Sequence, residues 1–218
     1  MMSRSAVIVC PLRREQQFIA RHLRRAGIDN VTTSCCGPGA DGIRRWTERT
    51  VLPDESVVLL AGLAGGLSAR ATAGTAWTIA GVIGDDDTTF APTRAGASND
   101  ATVVSAGSIL ATVEDKRALH ARTRADLVDL ESATFATVAT AQRWDWGIIR
   151  GVSDDARTPL PPALATWVTP TGRTRPSRVA LSVARRPELL ASIAQLRTTS
   201  ARALAAVSLH VQVLLDEP

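Results

Sequence analysis

From Ala6 to Asp155 the chain alternates short β-branched apolar runs with segments of helical period. That alternation restricts it to α/β architecture, in which each helix carries the chain back across a central sheet. "AVIVC", Ala6–Cys10, predicts a buried strand, and a helix follows over 14–26. Phe18, Ile19 and Leu23 form its apolar face, Arg21, Arg24 and Arg25 the opposite one, and Gly27 stops it. "NVTTSCCGPGADG" predicts a strand ending in a glycine-rich turn, with a helix over 40–49. "SVVLLAGLAGGL" predicts a buried strand running into a glycine loop, and "GTAWTIAGVIG" a further strand. The polar stretch 85–100 reads as a mobile loop or lid. Then come a strand in "ATVVSAGSILA", a helix capped by Thr112, a strand in "ADLVDLE", a helix in "SATFATVATAQRW" and a last strand in "DWGIIRGVSD".

Hydrophobic residues make up 45% of the chain, enough for a sizeable core. The 218 residues predict one domain, with a core over about 6–158. Beyond it lie a Pro/Arg-rich linker and a C-terminal helical extension, together about 159–218. Leu189, Leu190, Ile193, Leu196, Leu204, Val207, Val211 and Leu214 keep helical spacing there. They suit packing on the core or a subunit interface, and alternatively an amphipathic surface that meets lipid. No apolar run approaches the ~20 residues of a membrane span. The apolar opening is shorter than a signal-peptide core and leads into Arg13 and Arg14, so a cytoplasmic location is expected.

The net charge is +4, yet Lys116 is the single lysine and tyrosine is absent. Cations without interleaved aromatics argue against a nucleic-acid partner. Cys10, Cys35 and Cys36 are an odd count without zinc-ligand spacing, and His22, His120 and His210 are scattered. No metal and no resident cofactor is expected.

In α/β sheets, ligands bind beyond the carboxyl ends of the strands. "PLRRE", "AGLAGG", "VDLE" and "VSDDA" all fall at predicted strand ends. Glu131 ends one strand and Asp154 the next, and the helix between them predicts strand ends that point the same way. Two carboxylates so placed can bracket a glycosidic bond, although each alone suits a helix cap or a solvated loop.

The residues around them carry a resemblance. Val128-Asp129-Leu130-Glu131-Ser132-Ala133, a helix, and then Ser153-Asp154-Asp155-Ala156 resemble the "V-D-M-E-[SG]-A … S-D-x-A" signature of the nucleoside phosphorylase/nucleosidase superfamily, with Leu130 in place of Met. "AGLAGGL" with "GTAWTI", "VVSAGSILATVEDKRAL" and "VIVCPLRREQQFIARHL" look like the other segments of that family in the same order. The family's "G-D" after the glycine loop is Gly74-Thr75 here. The C-terminal part, with "CCGPGADGIRRW", looks like the hopanoid-associated phosphorylase branch, and the chain is also similar to 5′-methylthioadenosine/S-adenosylhomocysteine nucleosidases.

The resemblance implies a three-layer, phosphorylase/hydrolase-like domain that cleaves the N-glycosidic bond of a purine nucleoside. An adenine nucleoside is expected, including a 5′-substituted or lipid-linked one such as adenosyl-hopane. Asp154 would protonate the departing purine, held protonated by an apolar setting from Ile148, Ile149 and Val152. Glu15 would activate the nucleophilic water, and Glu131 would accept the ribose hydroxyls, with Leu130 against the sugar. Ser153, Ala156, Gly62, Ala64 and Gly65 complete the implied substrate site, with Phe90 or Phe135 as the stacking ring. Inorganic phosphate is the alternative nucleophile, but Leu60, Ala61 and Leu63 stand where phosphate-using members tend to place an arginine and a hydroxyl. Arg13, Arg14 and Arg44 are the arginines that could compensate. Hydrolysis is therefore the preferred reading. The expected partner is a small-molecule nucleoside, with a homodimer and membrane-surface contact through the C-terminal helices. The alternative is a catalytically inactive relative that binds nucleoside or protein; convergence of Glu15, Glu131 and Asp154 on one pocket large enough for a nucleoside distinguishes the two, and a Glu15 that points to solvent rules out the hydrolase mechanism.

Overall fold

The computed structural model describes residues 5–53, 55–84, 86–95 and 100–216. Strand β1 (Ala6–Cys10) leads into helix α1 (Arg13–Arg25), and β2 (Val31–Cys35) into α2 (Ala40–Arg49). The long β3 (Val57–Gly66) and β4 (Ala76–Ile83) are followed by the short β5 (Thr89–Phe90) and by β6 (Asp100–Ser105). Helix α3 (Val113–Thr123), β7 (Leu127–Asp129), α4 (Ser132–Ala141) and β8 (Asp145–Asp154) complete the alternating part. A 3₁₀ turn (Pro162–Trp167), α5 (Pro176–Arg185) and α6 (Leu189–Asp216) follow.

The sheet is mixed, with helices on its faces, as the sequence predicts. β2, β1, β3 and β8 are parallel neighbours. β8 meets β4 antiparallel, β4 and β6 are parallel, and so are β6 and β7. β7 returns antiparallel to Gly65 and Gly66 of β3. The pairings β3–β8–β4–β6–β7–β3 therefore close a circuit.

Three expectations change. "AGLAGG" is not a loop: β3 stays a strand through Gly66, because its last two glycines pair with Leu127 and Val128. β7 and β8 run in opposite senses relative to β3, so their ends do not point the same way. Part of the expected mobile stretch is ordered: β5 pairs with β4, and Arg94 holds Asp145 at 2.9 Å. Residues 85 and 96–99 of that stretch lie outside the described residues.

Two apolar layers flank the sheet. One packs Phe135 and Trp146 edge to face at 5.9 Å, with Trp144 alongside. The other joins Ile8, Ile19 and Ile149 to Leu204, Val207, Val211 and Leu214 of α6. The second half of α6 thus packs against β8, β3, β4 and α1. Gly151 makes that approach feasible: a Cβ there would sit 2.9 Å from the Ala203 Cβ. The first half of α6 and all of α5 are more open, and Leu181 and Leu190 are exposed.

Candidate active site

Two buried ionic groups lie along β3 and β8. The first is centred on Arg150, opposite Gly62 in the strand register. Its guanidinium is fully buried and pairs with Asp129 at 2.5 Å and Glu131 at 3.3 Å. Asp129 also accepts from Ser105 Oγ at 2.9 Å, from Ser132 Oγ, and from the Glu131 and Ser132 amides that open α4. It is thereby fixed as an anchor for Arg150 and for the start of that helix.

Glu15 reaches the same group from the first turn of α1. Its Oε2 accepts from the Leu12 amide at 2.8 Å and its Oε1 from the Leu63 amide at 2.9 Å. A Cβ on Gly62 would lie 3.0 Å from both Glu15 Oε2 and Arg150 Nη1, so the missing side chain lets them share one side of β3. Glu131 accepts from the Gly39 amide at 2.7 Å, which ties the β2–α2 turn to the start of α4. Burial pushes Glu15 and Glu131 each from the ordinary carboxylate range up to about 7. Backbone amides and Arg150 offset part of the shift at Glu15, and Arg150 does so at Glu131. Three carboxylates and one guanidinium share this space, so burial of charge is incompletely compensated. Among the described residues, Arg150 Nε and Nη1 are buried without a hydrogen-bond partner.

The second group is at the end of β8. A bulge there sets Val152 opposite Ala64 and Asp154 opposite Gly65, with Ser153 as the extra residue. Asp154 is 3% exposed, yet it does not have the apolar setting expected from Ile148, Ile149 and Val152. Those side chains belong to the two core layers, while Lys116 Nζ of α3 lies 2.5 Å from Asp154 Oδ2. Ser153 Oγ is 2.5 Å from Asp154 Oδ1 and 3.2 Å from the Ala64 carbonyl, with one hydrogen to give. Asp155 instead accepts from the Arg157 amide and Thr158 hydroxyl, an ordinary turn role.

A Cβ on Gly65 would lie 3.3 Å from both Asp154 Oδ2 and Val128 Cγ1. Gly65 pairs with both Asp154 and Val128, so the end of β3 brings Asp154 and β7 together although β7 and β8 run oppositely. Gly62 and Gly65 are three residues apart on β3, about 10 Å along the strand.

The other predicted residues are dispersed around this axis. Leu130 is half-buried between Asp129 and Glu131, Ala64 is buried in β3, and Ala156 is half-buried in the turn after β8. Phe90 sits on the sheet-edge strand β5 opposite Val82 and packs on the core, while Phe135 is fully buried in it. Arg13 and Arg14 are exposed, and Arg44 pairs with Asp41 on the surface. Two surface cavities among the described residues, at α1–β2 and at the start of β3, touch none of these groups. One, about 440 Å³, lies at the opposite ends of β3 and β8 and is lined by Ser56, Trp144 and Asp145.

Sequence reasoning missed Arg150, Asp129 and Lys116. The signals were present: one arginine within the apolar run "WGIIRGV", and the single lysine on a helix facing a strand end. A charge at a core position is retained only with partners, which is reason to seek them.

The sequence profile of the phosphorylase superfamily matches residues 97–185. This bears out the resemblance to the nucleoside phosphorylase/nucleosidase superfamily over the part holding Lys116, Glu131, Arg150 and Asp154. Solved structures with the same fold include the Helicobacter pylori 5′-methylthioadenosine/S-adenosyl homocysteine nucleosidase, complexed with a substituted pyrrolidinol. It has 12% identity, a TM-score of 0.70 and full coverage of both chains. The futalosine hydrolase of the same organism has 13% identity and a TM-score of 0.70, covering 100% of this chain and 99% of that one. A Colwellia psychrerythraea 5′-methylthioadenosine/S-adenosylhomocysteine nucleosidase in complex with adenine has 15% identity and a TM-score of 0.69, covering 98% and 95%. No curated protein matches the chain significantly.

Proposed function

We propose that this chain hydrolyses the N-glycosidic bond of an adenine nucleoside. The observation that carries the reading is Glu15, buried at the C-terminal end of the sheet with a carboxyl raised to about 7. A base poised there can take a proton from water near neutral pH. Arg150 Nε and Nη1, buried and unpartnered, supply donors beside it for that water. Glu131 would accept the ribose hydroxyls, and Asp154 would serve the departing base. Leu130, Gly62, Ala64, Gly65, Ser153 and Ala156 would line the path between them, and Phe90 is the proposed stacking ring.

Charge favours water over phosphate. Arg150 is already shared by Asp129 and Glu131, and Glu15 stands beside it. A phosphate dianion placed there would face carboxylates, and Arg13, Arg14 and Arg44 lie at the surface. The finer proposal is a substrate whose 5′ carbon bears an alkyl or lipid-like chain, as in the hopanoid-associated branch. The exposed Leu181 and Leu190 support apolar or membrane-surface contact for such a chain. A homodimer and a cytoplasmic location belong to the same proposal. No helix among the described residues is long and apolar enough to cross a membrane.

The test is adenine release from adenosine, 5′-methylthioadenosine and a 5′-alkyl analogue, with and without phosphate. The expected result is release in phosphate-free buffer, fastest for the 5′-alkyl compound. No release from any of the three would favour the inactive nucleoside-binding alternative.

A further inference from the structure

Lys116 is 1% exposed, and its ammonium is fully engaged. It donates to Asp154 Oδ2 at 2.5 Å, to the Asp155 carbonyl at 2.8 Å and to the Thr158 carbonyl at 2.9 Å. Both backbone acceptors lie in the turn that follows Asp154. Burying a lysine this way is costly unless it is paired, and a methionine would fill the space without that cost. The pair also bears on the chemistry. Ser153 gives its one hydrogen over the shorter of its two contacts, to Asp154 Oδ1 and not to the Ala64 carbonyl, and Lys116 covers Oδ2, so both oxygens face donors, an arrangement suited to a carboxylate. A carboxylate has no proton for a departing purine, and the Ser153 hydroxyl would leave an alkoxide behind if it gave its own.

Resting on the hydrolase reading above, we propose that Lys116 is a positioning residue that supplies, through Asp154, the proton taken by the leaving base. A proton passes from Lys116 Nζ to the Asp154 carboxylate as the C1′–N bond breaks and its electron pair moves onto the base. The carboxyl hands the proton to the base nitrogen and is a carboxylate again. The base leaves neutral, water adds to C1′ and gives its proton to Glu15, and Lys116 is left as a neutral amine. Glu15 releases one proton to solvent and Lys116 takes one up, so the enzyme returns to its starting state. Lys116 also fixes the Asp155–Thr158 turn and hence the direction in which Asp154 points.

The experiment compares wild type, K116M, K116R, D154N and the K116M/D154N double variant, with folding followed by circular dichroism. Adenine release from 5′-methylthioadenosine is the first readout, and 4-nitrophenolate release from 4-nitrophenyl riboside, a leaving group that needs no proton, is the second. K116M is expected to lose about 10²–10⁴-fold on adenine, the usual scale of general acid catalysis. It should keep whatever activity wild type shows on the nitrophenyl riboside to within about threefold. K116R keeps the charge but cannot surrender a proton, so adenine release should stay low. The double variant should be no slower than D154N, since both changes disable one relay. K116R at wild-type rate would overturn the inference, as would a further large loss from K116M in the D154N background. Wild type releasing adenine while K116M is unimpaired sinks this inference and leaves the hydrolase reading standing. Wild type releasing no adenine sinks both.

Discussion

Burial, more than any single partner, sets the chemistry of Glu15. The carboxyl is raised from 4.5 to about 7 although two amides and Arg150 favour its charged form. In the proposed role of base it works ionised, so kcat/KM should fall as pH drops below about 7, approaching tenfold per unit. Glu131 shares Arg150 and titrates in the same range, so the observed pKa belongs to the pair. The stability effect has the opposite sense. A carboxyl whose pKa is raised on folding favours the fold below its unfolded pKa of about 4.5 and loses that contribution as pH rises through about 7. E15Q should therefore abolish adenine release while flattening stability between those pH values, measured by urea unfolding at several pH values. An E15Q protein with wild-type activity contradicts the assignment. Glu15, Glu131 and Asp154 were legible in the sequence because they stand in a motif at strand ends. Their partners were not. Arg150 and Lys116 act across the fold, and their pairing with residues 19 to 38 positions away leaves no local pattern.

At the scale of elements, periodicity carried most of the information. The β-branched run Ala6–Cys10, the helix over Ala40–Arg49 and the Thr112 cap, which accepts the Asp115 amide at 3.1 Å, all form as expected. Strand direction was not legible. It depends on the closure of β7 onto the end of β3, and glycines there give no side-chain pattern to read. Gly151 shows how tightly α6 is fitted to β8. An added Cβ would press on the Ala203 backbone carbonyl at 3.0 Å as well as on its side chain. Gly151→Ala should destabilise the protein by ~1–3 kcal/mol, the scale of overpacking. Without the close approach, the same change would raise stability by ~0.4–1 kcal/mol by restricting the unfolded chain. The sign of the shift in the urea midpoint distinguishes the two outcomes.

At the scale of the molecule, the fold gathers charges from both ends of the sequence at one end of the sheet. Glu15 comes from the first helix, Glu131 from the start of α4, and Arg150 and Asp154 from the last strand, while α6 closes the layer beneath β8, β3 and β4. That arrangement makes one central claim: water, activated by Glu15, displaces adenine from the sugar. The most direct test is to incubate the protein with 5′-methylthioadenosine with and without phosphate and to identify the sugar product by mass spectrometry. Free 5-methylthioribose, formed at the same rate in both buffers, is the predicted result. A pentose 1-phosphate formed only when phosphate is present would contradict it.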